Sequence, residues 1–123
     1  MELEVKEPVK LDDGKHSGRI IRVEYRDDPY NYTDVFIKEK KTDFELKYGA
    51  PTSLSKNTKL GKLLMQFTTL DVGSKIDPEK VLLSKDVTFM TIMEKTDKGE
   101  FVRIIDNSIK PLNGKDNNIF IDD

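Results

Sequence analysis

The chain contains no cysteine, no tryptophan and a single histidine, His16. The absence of cysteine excludes disulfides, a thiolate zinc site and a cysteine nucleophile. One histidine excludes a multi-histidine metal cluster. No apolar run approaches the roughly 18 residues that a membrane helix needs, and the acidic start MELEVKEP does not read as a signal peptide, so none is expected. No internal repeat is visible. What is present is one domain's worth of chain, 123 residues of which 36% are hydrophobic, enough for a single modest core. Charged residues also reach 36%, above the usual ~25%, so the surface is densely ionic. The expectation is a soluble, cytoplasmic domain.

The net charge of −2 is unevenly spread. Residues 1–14 hold two basic and five acidic side chains, 15–66 hold eleven basic and seven acidic, and 67–123 hold eight basic and eleven acidic. Positive potential therefore sits in the middle of the chain between two acidic ends. That distribution suits a local anion-binding patch on a protein whose overall charge discourages indiscriminate binding. Ordinary scatter in a charge-rich chain gives the same counts.

Residues 1–14 read as an N-terminal arm ending in an Asp-Asp-Gly turn. From His16 to Arg26 the pattern alternates, with Ile21, Val23 and Tyr25 on one face and Arg22, Glu24 and Arg26 on the other, as in a half-buried strand. Ile20 interrupts the polar side. After a loop around Pro29, Thr33–Lys38 forms a second strand, with Val35 and Ile37 opposed to Asp34, Phe36 and Lys38. Phe44–Ala50 forms a third, and short polar turns make the three an antiparallel meander. Leu60, Leu63, Leu64 and Phe67 then follow helical spacing, which predicts a helix over about 57–69. Asp77-Pro78 starts a helix of a turn or two. Asp86–Glu94 and Glu100–Asp106 complete a hairpin across Asp97-Lys98-Gly99.

Five strands with one helix between the third and fourth predict a mainly β fold, a small barrel over 15–110 followed by an acidic tail over 111–123. That order is the arrangement of the OB-fold barrel. The stretch from His16 to Ile105 resembles small OB-fold single-stranded-DNA-binding proteins of phages and archaea. Thr52-Ser53-Leu54-Ser55 leading to Lys59-Leu60-Gly61-Lys62-Leu63-Leu64 is similar to the serine-rich helix start of the phage proteins, and Leu83-Ser84-Lys85-Asp86-Val87 to their turn into the fourth strand. The resemblance covers roughly three quarters of the chain. It implies a role in DNA transactions such as replication.

Tyr25, Phe44, Tyr48, Phe67, Phe89 and Phe101 fall on apolar faces and are expected in the core. Phe36 falls on the polar face of its strand, with Tyr30 and Tyr32 just before it. An OB-fold binds its ligand on this face and at this loop, and rings there stack on bases for about 1–3 kcal/mol each. Arg22, Arg26, Lys38 and Lys47 are expected on the same face as phosphate contacts. The alternative is that Phe36 is covered by the arm, by Ile20 or by a subunit, as an interface anchor of a protein-interaction module. At the helix start, hydroxyls with Lys56 and Lys59 suit either a bound phosphate or plain capping.

Nothing points to catalysis. The acidic pairs Asp12-Asp13, Asp27-Asp28 and Asp122-Asp123 lie in turns or the tail, without the shielding that tunes a general acid or base. His16 reads as a surface residue. No phosphate loop, nucleophile elbow or calcium loop appears, so no cofactor is expected. In the tail, Ile119, Phe120 and Ile121 among acidic residues are similar in composition to the partner-recruiting tail of bacterial single-stranded-DNA-binding proteins. An extra edge strand explains the same residues. The sequence and its resemblance thus imply a binder of single-stranded nucleic acid with little sequence preference, DNA first and RNA as the alternative, with a protein partner expected at the tail and no membrane association.

Overall fold

The computed structural model describes residues 1–5 and 11–112. It is mainly β. Strands β1 (Gly14–Arg26), β2 (Tyr32–Glu39) and β3 (Glu45–Pro51) are followed by helices α1 (Lys59–Leu64) and α2 (Pro78–Leu82), then by β4 (Asp86–Thr96), β5 (Gly99–Ile104) and β6 (Lys110–Pro111). All pairings are antiparallel, and the sheet order is β3-β2-β1-β4-β5, with β6 on β4. The two ends of this path, β3 and β5, approach each other, but no ladder joins them among the described residues.

β1 lies at the centre of the sheet and divides its length between two partners. Gly14–Arg19 lies along β4 and Gly18–Arg26 along β2. Gly18 belongs to both ladders, and a β-carbon there would strike the Lys38 carbonyl oxygen, so only glycine permits the crossing. The register against β2 slips between Ile20 and Arg22, a bulge at Ile21. The bulge changes the expected face assignment: Ile20 and Val23 both enter the core, while Ile21 is half-buried.

The core gathers Ile20 and Val23, Val35 and Ile37, Leu46, Tyr48 and Ala50, Val87 and Phe89, and Ile104, one alternate set from each long strand. Leu60, Leu63 and Leu64 of α1 and Leu82 of α2 cover it, with α1 packed on β3 and α2 on β1. The helix expected over 57–69 is shorter. Thr58 caps α1 by accepting from the Gly61 amide, and after Leu64 the chain tightens into bonds from Gln66 N to Leu63 O and Phe67 N to Leu64 O. Phe67 still packs on the core from beyond the helix end. α2 starts as expected, with Asp77 accepting from the Glu79 amide and Pro78 in the first turn.

Three expectations are corrected. Tyr25 and Phe101 are half-exposed, not core. Tyr25 lies at the far end of β1 beside Asp77 and Glu79, where burial and the Asp77 charge raise its pKa. Phe101 faces outward because Val102 and Ile104 take the inner side of β5. His16 is not a surface residue. It lies in β1 with its side chain 13% exposed, against the Phe89 ring, with Nε2 2.6 Å from the Asp12 carbonyl oxygen and Nδ1 3.6 Å from Glu39.

Residues on both sides of 15–110 are tied to the sheet. Leu11 is buried, the Asp12 carbonyl accepts from Thr91 Oγ1, and Asp13 accepts from the Met93 amide. At the other end, the Leu112 amide donates to Asp86. The acidic tail residues Ile119, Phe120 and Ile121 lie outside the described residues. Among the described residues no helix is long and apolar enough to cross a membrane.

Candidate nucleic-acid interface

Period-two alternation lifts every second residue of β2 onto the outer face of the sheet. Each has a partner on both sides: Tyr32 lies between Arg26 and Pro51, Asp34 between Glu24 and Gly49, Phe36 between Arg22 and Lys47, and Lys38 between Arg19 and Glu45. The ladders therefore bring Arg22, Arg26, Tyr32, Phe36, Lys38 and Lys47 onto one face of three strands. Tyr30 stands apart from this row, 71% exposed in the loop before β2.

The arginines are not open cations. The Arg22 guanidinium carbon lies 4.0 Å from the centroid of the Phe36 ring and that of Arg26 4.8 Å from Tyr32, so each ring has one side taken by a cation. Arg22 also donates from Nε to Glu24 at 2.8 Å and from a terminal nitrogen to Glu45 at 2.5 Å. Arg26 donates to both oxygens of Asp34, at 2.6 and 3.3 Å. The hydrogen bond that Arg22 donates to Glu45 and the one that Arg26 donates to Asp34 raise the pKa of each guanidinium further above its ordinary value. Lys38 and Lys47 are exposed and make no ion pair with another described residue. Among the described residues they are the cations of this face without a carboxylate partner.

Phe36 and Tyr32 are half-buried, which matches the outward register expected for Phe36. Asp34, read onto the polar face of its strand with Phe36 and Lys38, is 4% exposed. Its slot comes from Gly49, where a β-carbon would lie 2.9 Å from Asp34 Oδ1 and 3.5 Å from Tyr32 Cδ2. Sequence reasoning missed both residues. A lone aspartate in a strand and a lone glycine in its neighbour give no signal until the register is known.

Beyond Lys38, a shallow cleft of about 360 Å³ opens toward the β2–β3 turn, lined by Arg19, Ile21, Lys40 and Asp86 among others. Arg19 is held there by Asp86 at 2.8 Å, and this bond lowers the Asp86 pKa. Under the same turn lies Glu39, 2% exposed, whose Oε1 accepts from the Lys41 and Thr42 amides and the Thr42 hydroxyl. Burial alone would raise the Glu39 pKa. The Thr42 and Lys41 hydrogen bonds and nearby His16 outweigh it and leave the carboxyl below its ordinary value.

At the start of α1, capping accounts for the hydroxyls: Ser55 accepts from Asn57, and Thr58 from Ser55 and Gly61. Lys59 turns to Asp106 and the Tyr48 ring. Among the described residues no group of three His, Asp or Glu side chains is placed to hold a metal. No protein-family model matches the chain, and no curated protein matches it, so the reading of this face rests on its own chemistry.

Proposed function

We propose that the protein binds single-stranded nucleic acid, with DNA the strand its resemblance implies, across the outer face of β1, β2 and β3 and with little sequence preference. One observation carries this reading: two arginine–aromatic contacts, Arg22 on Phe36 and Arg26 on Tyr32, share one sheet face with Lys47 beside Phe36 and Lys38 next along the strand. Flat π and guanidinium surfaces accept any base, which suits sequence-tolerant stacking. Lys38 and Lys47 supply phosphate contacts, joined by Arg22 when its exposed glutamate partners release it. Tyr30, exposed in the loop before β2 and apart from the row, offers a further ring to a strand that runs past the loop. The role is binding, not catalysis.

The strand order, the bulged β1 shared by two ladders and the helix after β3 support reading the sheet as a small OB-like barrel with an open seam between β3 and β5. A titration of a labelled oligothymidylate, followed by anisotropy at low and moderate salt, tests the function. Binding that weakens with salt and exceeds binding of a duplex supports it. No binding at low salt removes it.

A second reading, a protein-interaction module, draws on a different surface. Met90, Ile92 and Phe101 are exposed on the outer face of the β4–β5 hairpin, while their neighbours Phe89, Thr91 and Ile104 are buried. Phe36, half covered by Arg22, is the weaker anchor of the two surfaces.

A further inference from the structure

Within the single-strand reading, on which this inference rests, we propose that Arg26 meets bases as a flat stacking surface and does not contact phosphate, and that Asp34 is the positioning residue that holds it there. Asp34 sits on the outer face of the sheet yet is only 4% exposed. A carboxylate so far removed from water must keep its partner. That partner is Arg26, which reaches both carboxylate oxygens, Nε to Oδ2 at 2.6 Å and a terminal nitrogen to Oδ1 at 3.3 Å. Two-point contact fixes the plane of the guanidinium as well as its place. The guanidinium carbon lies 4.8 Å from the Tyr32 ring centroid, and the side chain stays 40% exposed, which leaves part of its surface to a ligand.

The slot is built from three strands. Gly49 of β3 leaves the space that the Asp34 carboxylate and the Tyr32 ring occupy, since a β-carbon there would meet both. Arg22 shows the contrast. Its partners Glu24 and Glu45 are exposed carboxylates that water can re-solvate, so Arg22 can leave them for a phosphate. Arg26 cannot leave without stranding a buried charge. Its charge is already balanced by Asp34, so it contributes area and planarity to binding, not net attraction for the backbone.

The test is a salt series of anisotropy titrations with a labelled oligothymidylate of about 15 nucleotides, within the span of such sites. Arg26→Lys keeps the charge and loses the plane. It should bind about tenfold more weakly, the order of one lost stack, with the slope of log affinity against log salt unchanged. A phosphate contact would leave Arg26→Lys near wild type and make the slope of Arg26→Ala shallower by about 0.7. Either result overturns the proposal. Asp34→Asn should weaken binding several-fold alone and add nothing to Arg26→Ala. Additive losses overturn the positioning role. If Asp34→Asn or Arg26→Ala fails to fold, as a melting curve would show, Arg26→Lys decides, because a lysine still gives Asp34 an ionic partner. A wild-type protein that binds no single strand overturns the underlying reading instead, a result distinct from both of these.

Discussion

Gly49 of β3 stands directly opposite Asp34 of β2, and a β-carbon at Gly49 would come within 2.9 Å of the Asp34 carboxylate. The closeness makes position 49 sensitive even to alanine. Gly49→Ala should displace Asp34 and lower stability by about 1–3 kcal/mol, the range for overpacking a filled site. Urea unfolding of the two proteins measures it. A variant as stable as wild type would mean that the slot yields freely.

Core and face separate under truncation. Phe89 and Leu64 are fully buried, so Phe89→Ala should cost about 3–5 kcal/mol and Leu64→Ala about 2–5. Phe36 is half-buried on the outer face, and Phe36→Ala should cost less than about 1 kcal/mol while weakening single-strand binding. Equal destabilisation by Phe36→Ala and Phe89→Ala would make Phe36 a structural residue.

Acid should loosen the β2–β3 turn through Glu39. Its folded pKa lies below the ordinary 4.5, so the stability it contributes is complete above about that value and is lost as pH falls through the folded pKa. Glu39→Gln keeps an acceptor for the Thr42 and Lys41 amides but has no proton to gain. It should be less stable than wild type at pH 7, by about 1–2 kcal/mol, and the difference should shrink below pH 4.5. A gap that is constant with pH would separate Glu39 from acid sensitivity.

At the alkaline end Tyr48 is the sensor. Burial first, then the charge of Asp106, pushes its pKa up from 10 to about 12. A raised folded pKa favours the neutral phenol, so the stability it contributes is intact below pH 10 and is lost as pH rises through about 12. Tyr48→Phe should therefore lose less stability than wild type over that interval. Equal losses would show that other groups govern the alkaline limb.

Much of the strand order is legible in sequence because β2, β3 and β4 keep strict alternation: Val35 and Ile37 inward, Phe36 and Lys38 outward. Reading fails where two patterns coexist. In β5, Phe101 and Arg103 alternate with Val102 and Ile104, and both sets carry an apolar residue, so spacing alone cannot choose the inner one. In β1 the bulge at Ile21 changes the phase mid-strand, an event set by pairing with β2 that leaves no mark in the residues themselves. The candidate face was legible as a set of residue types. The pairing of its arginines with Glu45, Glu24 and Asp34 was not, because those carboxylates reach them only through the register of three strands.

The most direct measurement is an NMR titration of the labelled protein with oligothymidylate, reading which amides shift. Binding on the outer face of β1, β2 and β3 requires the largest changes at Tyr32, Asp34, Phe36, Lys38 and Lys47 and the Arg26 side chain. Changes centred on Met90, Ile92 and Phe101, or none at saturating strand, would contradict it.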